Sequence, residues 1–255
     1  MVVDSSRSLV LSTIRTAGSV ALVLADTLAS TVRRPPRPRV VLEQMHEIGQ
    51  GSLFFIATTL GFLGLISVYQ GATQVMKVLP DLTLVGAAFI DAVVREFAPT
   101  IAGLMLATKV GSGIAAQVGT MKVTDQTDAL LLCNTNVVEY VVVPRFVASL
   151  VATPLLTVIG ATVAIASGFA MGYLRFHISP GTFLSLALTD FRDLYIGLAK
   201  TVTYGAVVPV VATEAGLSAR RGAEGVGDAT TRAVVNCSFT IILLDFVISW
   251  IGRAV

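Results

Sequence analysis

Charged residues are scarce in this sequence: they make up 13% of its 255 residues, while hydrophobic residues make up 54%. Soluble domains carry about 25% charged residues, and the mean hydropathy of +0.80 lies far outside their range. This composition indicates an integral membrane protein. The net charge of +2 is too small, and the basic residues too scattered, for a nucleic-acid-binding protein.

Side chains suited to catalysis or metal binding are also few. Cys133 and Cys237 lie in or beside apolar segments without CxxC or Cys/His spacing, and His46 and His177 fall on opposite sides of the predicted membrane topology. The sequence contains no GxxxxGK[ST] phosphate-binding loop and no GxSxG nucleophile elbow. We therefore expect no catalytic residue, metal site or cofactor in this chain, and a separate partner that powers transport.

What the sequence does contain is a series of long apolar segments, which predict an all-α membrane protein with five transmembrane helices. A helix needs about 20 apolar residues to cross a hydrocarbon core of about 30 Å. The predicted spans are residues 52–76, 82–109, 146–174, 195–215 and 232–251. Pro99 is expected to kink the second span, because proline removes a backbone donor.

The distribution of basic residues predicts the orientation. One side of the predicted topology carries Arg33, Arg34, Arg37, Arg39, Lys109, Lys122, Arg145, Arg220, Arg221 and Arg232, and the other carries Lys77, Arg175, Arg192, Lys200 and Arg253. The side richer in lysine and arginine faces the cytoplasm. Five spans then place the C-terminus outside.

The N-terminal region, residues 1–41, is predicted to form an amphipathic helix in the membrane interface, followed by a linker rich in proline and arginine. One helical face collects the polar side chains Ser8, Ser12, Arg15, Ser19, Asp26 and Ser30. A short transmembrane span is the alternative, although Arg15 and Asp26 would be costly against lipid. Residues 42–255 form the predicted membrane domain.

Polar residues within the first two spans are candidates for a binding cavity. Gly64, Ser67, Gln70 and Gln74 share one helical face, which indicates either a cavity or close helix packing. Asp91, Arg95 and Glu96 interrupt the second span, and Asp91 and Arg95 are spaced to pair on one face. Such intramembrane charges indicate function, with a structural ion pair as the alternative.

A short polar element between the second and third spans is a candidate docking helix. Thr124 is predicted as its N-cap, with Asp125 and Asp128 in the first turn and an apolar stretch from Ala129 to Cys133. A capped helix with an exposed apolar side suits insertion into a groove of a partner. Spacing alone does not distinguish it from an ordinary cytoplasmic loop.

Four motifs give the chain a recognisable pattern: REFAP at 95–99, GSGIAAQVGTMKVTDQTDAL at 111–130, PRFVASLVATPLLT at 144–157 and DATTRAVVNCSFTIILLDF at 228–246. In these the sequence resembles the MlaE/YrbE permease family, the membrane subunits of Mla- and Mce-type lipid ABC transporters. The resemblance extends over about residues 42–255. It implies a permease that moves phospholipid between the bacterial inner membrane and a periplasmic MCE-domain carrier, maintaining the lipid asymmetry of the outer envelope.

The resemblance also implies partners and site residues. The partners are a second copy of the chain, cytoplasmic ATPase subunits that bind ATP and magnesium, and the MCE-domain protein. In a bacterial inner membrane, the outside location predicted above for the C-terminus is the periplasm. The implied lipid cavity is lined by Ser67, Gln70, Gln74, Val78, Arg95, Glu96 and Phe97. The implied ATPase-coupling residues are Gly119, Met121, Thr124, Asp125, Asp128 and Leu132.

Three positions depart from the family pattern. Gln117 stands where glutamate is usual, Lys109 where arginine is common, and residues 134–136 lack the usual glycine and proline.

Two other classes of function compete with the permease interpretation. An ion-coupled secondary transporter of a hydrophobic solute would use Asp91, Glu96, Glu214 or Asp245 as proton carriers. A membrane-embedded lipid enzyme is disfavoured by the shortage of nucleophile and base pairs.

Overall fold

The computed structural model of the protein describes residues 2–78, 82–185 and 190–254, with the side chains of residues 18–78, 82–185 and 190–253. All of its regular elements in these ranges are helical. The helices are α1 (Val2–Arg33), α2 (Pro38–Val78), α3 (Thr83–Ala92), α4 (Ala98–Leu106), α5 (Ser112–Val123), α6 (Gln126–Leu132), α7 (Val143–Phe176), α8 (Pro180–Phe183), α9 (Phe191–Leu217) and α10 (Ala223–Ala254). π-Helical turns occupy Val93–Phe97, Ala107–Gly111 and Val138–Val142.

Four segments of the described chain are long and apolar enough to cross a membrane. They are Pro38–Val78, Val138–Phe176, Phe191–Leu217 and Ala223–Arg253, and they contain the first, third, fourth and fifth predicted spans. The second predicted span lies in the helical run α3 to α5, which two π-turns divide into shorter helices. A fifth membrane crossing by this run remains a prediction.

Contacts at the two ends of the bundle show how this run lies. At one end, called here the α6 end, Gly119 lies beside Ala219 of the connection between α9 and α10 and beside Val226 near the start of α10. At the opposite end, the ring of Phe89 packs against that of Phe183 with centroids 6.1 Å apart. The run from Thr83 to Val123 therefore extends from one end of the bundle to the other.

Helices α2 and α7 pack closely because small residues line their contact. A side chain added at Gly64 would collide with the carbonyl of Ala164 and the hydroxyl of Ser167. Ser167 donates a hydrogen bond of 2.8 Å to the carbonyl of Gly61. Such contacts allow two backbones to approach within a membrane. Gly64 thus serves helix packing, the alternative to a cavity-lining role.

Helix α9 occupies the centre and α10 the periphery. In the most apolar 18-residue stretch of each helix, 56% of the residues are buried in α9 and 11% in α10. The outward face of α10 exposes a continuous row of large apolar side chains: Val235, Phe239, Ile242, Leu243, Phe246, Val247, Trp250 and Ile251. Because soluble monomers rarely expose an apolar patch of this extent, this face is suited to contact with lipid or another subunit.

Helix α1 lies against the bundle, and part of its predicted polar stripe faces protein rather than solvent. Ser30 is buried, and the Ser19 hydroxyl donates a hydrogen bond of 2.9 Å to Glu214 of α9. Asp26 is exposed, as are the apolar side chains of Leu22 and Val32. The location of α1 in the membrane interface remains a prediction.

Candidate functional site

The centre of the bundle contains a buried lysine between two carboxylates. The side chain of Lys200, on α9, is 0% exposed. Its Nζ lies 2.5 Å from Oε2 of Glu96 and 2.9 Å from Oδ1 of Asp245. A buried cation is tolerated only when opposite charges and hydrogen bonds replace its hydration. These three side chains therefore bring together the π-turn at Val93–Phe97, α9 and α10.

Hydroxyl groups complete the coordination of both carboxylates. Tyr204 and Thr100 donate hydrogen bonds of 2.7 and 2.9 Å to Oδ1 of Asp245. Ser249 donates one of 3.1 Å to Oε1 of Glu96. Hydrogen bonds to charged acceptors are stronger than those between neutral groups. The carboxylates of Glu96 and Asp245 are accordingly held in fixed positions within the apolar bundle.

Arg95 binds a carboxylate of α9 instead of the predicted partner on its own helix. Its Nη1 donates to Oδ1 of Asp193 at 3.1 Å, and its Nε lies 3.8 Å from Glu96. No ion pair joins Asp91 to Arg95 within the described residues, so the predicted pairing of these two is wrong. Asp91 Oδ1 and Arg95 Nε are both buried without a hydrogen-bond partner in the described part of the chain.

The π-turn at Val93–Phe97 explains how Arg95 and Glu96 reach α9 and α10. Pro99 cannot donate a backbone hydrogen bond to residue 95, and the preceding Ala98 N–H bonds to the carbonyl of Val93 across a wider turn. The wider turn changes the direction of the side chains within it and after it relative to a regular helix. The distortion predicted at Pro99 is present, and it takes the form of this π-turn.

A separate groove on α2 and α7 contains the two glutamines predicted for the lipid cavity. The groove has a volume of about 730 Å³. Its walls are mainly apolar, with three polar side chains; the lining residues are Leu65, Ile66, Tyr69, Gln70, Thr73, Gln74 and Met171. Two other residues predicted for the cavity, Ser67 and Val78, also belong to α2 but do not line the groove. Ser67 is half-buried and Val78 is exposed.

The predicted cavity residues of the second span lie elsewhere. Arg95 and Glu96 belong to the buried charged network, and Phe97 is partly exposed beside it. None of these three lines the groove that contains Gln70 and Gln74. A single cavity that unites both sets remains a prediction.

The predicted coupling element is a short helix at the α6 end with an exposed apolar tip. Leu132 is 90% exposed and Leu131 is 61% exposed. Gly119 is buried where α5 meets the α9–α10 connection, and Met121 is half-buried at the same end. Thr124, Asp125 and Asp128 are exposed. The arrangement leaves two leucine side chains exposed at the α6 end of the bundle.

The predicted N-cap of this helix is wrong by one residue. Thr124 is the C-cap residue of α5, and its hydroxyl donates a hydrogen bond of 2.8 Å back to the carbonyl of Thr120. Asp125 is the N-cap residue of α6 and adopts a left-handed conformation with φ of 57°. Asp128 lies in the first turn, as predicted, and pairs with Lys122 at 3.1 Å.

Sequence reasoning did not identify Asp193, Lys200, Tyr204 and Asp245 as members of one network with Glu96. Lys200 and Asp245 were visible as isolated charges within predicted spans. Because an isolated charge in a span needs a partner of opposite sign, the presence of both in predicted spans could have indicated an ion pair between Lys200 and Asp245. Nothing in the spacing identified which of several carboxylates Lys200 would meet.

Comparisons with known proteins identify the family of this chain. The family profile described as Permease MlaE matches residues 41–251. A probable ABC transporter permease protein of Rickettsia bellii is 31% identical over 98% of both chains. Another of Synechocystis sp. is 34% identical over 84% of this chain and 81% of its own length, and one of Pyropia yezoensis is 32% identical over 82% and 80%. The chain therefore belongs to the MlaE permease family.

Proposed function

We propose that this chain is the membrane subunit of an ATP-driven transporter that moves phospholipid between the bacterial inner membrane and a periplasmic MCE-domain carrier, and so maintains lipid asymmetry in the outer envelope. The observation that carries the lipid assignment is the groove on α2 and α7. Its leucine, isoleucine and methionine side chains suit an acyl chain, while Gln70, Thr73 and Gln74 offer donors and acceptors for a head group.

The ATPase assignment rests on the names of the relatives and on the α6 end. Each relative cited above is called a probable ABC transporter permease. This chain has no phosphate-binding loop of its own, so ATP and magnesium would be bound by separate ATPase subunits. Leu131 and Leu132 would insert into a groove of that subunit, as exposed apolar anchors do at interfaces.

A homodimer and a defined orientation complete the proposal. ATPases of this class work in pairs, so two coupling helices are needed, and the exposed apolar faces of α2 and α10 offer surfaces for a second copy. The excess of lysine and arginine at the α6 end supports a cytoplasmic location for that end and a periplasmic location for the C-terminus.

Blocking the groove tests the lipid assignment. Thr73→Trp places an indole ring in the groove, whereas Thr58→Trp makes the same change at an exposed position of α2 outside it. After purification in mild detergent, we expect the Thr73 variant to retain severalfold less phospholipid per chain than the Thr58 variant. Equal retention, measured by lipid extraction and mass spectrometry, would remove the groove from the lipid path.

A charge on the coupling helix tests the ATPase assignment separately. Burying a leucine is worth about 1.5–3 kcal/mol, so Leu132→Asp should weaken ATPase association about tenfold or more. Leu42→Asp is the control, because Leu42 is 64% exposed and lies near the start of α2, outside the coupling helix. Unchanged recovery of the ATPase with the Leu132 variant in a pull-down would contradict the docking role.

A further inference from the structure

A second cavity at the α6 end, which the proposed transport path does not use, is lined by three arginines. Arg34 and Arg37 come from the linker between α1 and α2, and Arg145 comes from the start of α7. The cavity, called here the arginine cleft, has a volume of about 620 Å³. Glu139 also lines it and is the one acidic side chain among its lining residues. The cleft is therefore net positive.

Two of the three arginines have unused donors. Glu139 is paired with Arg34 at 3.1 Å. In the ranges 2–78, 82–185 and 190–254, Arg37 forms no ion pair. Arg145 donates to the carbonyl of Val141 and to Gln117, but its buried Nε has no partner within the described chain. The cleft therefore offers guanidinium donors that can bind one anion through two hydrogen bonds or bridge it between Arg37 and Arg145.

Apart from Gln44 and Thr135, the remaining wall of the cleft is mainly apolar. Val40, Met121, Tyr140 and Pro144 line it, and Tyr140 is 63% exposed. A free inorganic anion gains nothing from such a wall, whereas the glycerol and proximal acyl carbons of a lipid would be buried against it. The combination of arginine donors and apolar wall matches an amphiphile with a negatively charged head.

We propose that the arginine cleft binds the phosphate head group of an anionic phospholipid from the leaflet at the α6 end. Basic pockets between helices on the cytoplasmic side are suited to this, because anionic lipids are concentrated there. The bound lipid would join the α1–α2 linker to α7 through Arg37 and Arg145. This site is distinct from the groove on α2 and α7 and does not depend on the transported substrate.

Charge reversal at Arg37 tests the site with a matched control. Arg37 is exposed, so Arg37→Glu leaves the helix packing intact. Arg39→Glu makes the same change two residues away, at a side chain that is 90% exposed, paired with Glu43 and outside the cleft. Delipidated full-length chain in detergent is titrated with phosphatidylglycerol or with phosphatidylcholine of identical acyl chains, and bound lipid is counted by native mass spectrometry.

The expected result is tighter binding of phosphatidylglycerol than of phosphatidylcholine, weakened about tenfold by Arg37→Glu and less than about twofold by Arg39→Glu. Equal binding of the two lipids by the unaltered chain would overturn the proposal. Displacement of phosphatidylglycerol by an equal concentration of glycerol phosphate would also overturn it, by assigning the cleft to a free phosphate ester.

A protein ligand gives a different result. If Arg37→Glu leaves lipid binding unchanged but abolishes recovery of the ATPase, the cleft is a protein-docking surface and the proposal is wrong. Because the titration contains no ATPase and no MCE-domain protein, its failure leaves the proposed transport function untouched. Failure of the Thr73 and Leu132 tests would likewise leave the cleft to be judged by its own titration.

Discussion

Replacing Lys200 with methionine should destabilise the bundle more than any comparable surface change. Lys200→Met keeps a long unbranched side chain but removes the cation that lies 2.5 Å from Glu96 and 2.9 Å from Asp245. Two carboxylates, 34% and 23% exposed, then remain close together with the hydroxyls of Tyr204, Thr100 and Ser249 as hydrogen-bond partners, and Glu96 keeps the 3.8 Å contact with Arg95 as its nearest positive charge. Breaking a buried ion pair by removing one partner costs about 3–5 kcal/mol.

Lys122→Met is the matched control. Lys122 pairs with Asp128 at 3.1 Å, but its side chain is 37% exposed, so solvent screens the interaction. Exposed ion pairs contribute at most about 1 kcal/mol. The two substitutions are chemically identical and differ in the burial of the pair that they break.

The free energy of unfolding is measured by titrating the purified protein from mild detergent into SDS and following helix content by circular dichroism. We expect a loss of about 3–5 kcal/mol for Lys200→Met and less than about 1 kcal/mol for Lys122→Met. Adding Glu96→Gln and Asp245→Asn to Lys200→Met should recover most of the loss, because both unpaired charges are then removed. Equal stability of the two single variants would refute the reasoning.

Two further predictions concern packing and the departure at position 117. Gly64→Ala should destabilise the protein by about 1–3 kcal/mol, because the new methyl group would collide with α7. The control is Gly71→Ala, whose methyl group has no neighbouring atom within 4 Å and should be neutral or stabilising. Both are measured by SDS titration. Gln117→Glu should change stability by less than about 1 kcal/mol in thermal unfolding, because the new carboxylate repels Glu47, which the Gln117 amide contacts at 3.1 Å, but gains an ion pair with Arg145, which donates to Gln117 at 3.0 Å. In a Glu47→Gln background the repulsion is absent, so Gln117→Glu should be stabilising there.

The spans could be predicted because they depend on local composition. Four apolar segments long enough to cross a membrane were recognised from the sequence, and the structure contains them as helices. The π-turns at Val93–Phe97 and Ala107–Gly111 were not recognised, because a single extra residue in a turn leaves the apolar pattern almost unchanged. Pro99 marked the position of the first distortion without specifying its form.

The charged network could be predicted in part only. The spacing rule for helices pairs residues four apart and so joined Asp91 to Arg95, but Asp193 on α9 offers a closer and more buried partner. Lys200 and Glu96 are 104 residues apart in sequence. Their contact follows from the order in which the helices pack, and no local pattern encodes that order.

The coupling helix illustrates a limit of capping rules. Threonine is a favoured N-cap, and Thr124 precedes two acidic residues, which is the expected pattern. Its hydroxyl instead continues the preceding helix by bonding to Thr120, and the chain turns at Asp125 in a left-handed conformation that aspartate tolerates better than most residues. The helix itself was predicted within two residues of its start.

The measurement that tests the central claim most directly is purification of the tagged chain from its native host in mild detergent, followed by mass spectrometry of the proteins and lipids that accompany it. The account predicts an ABC ATPase, an MCE-domain protein and bound phospholipid in the same complex. Recovery of the chain with neither partner nor lipid, together with solute transport that needs a proton gradient and no ATP, would contradict it in favour of an ion-coupled transporter.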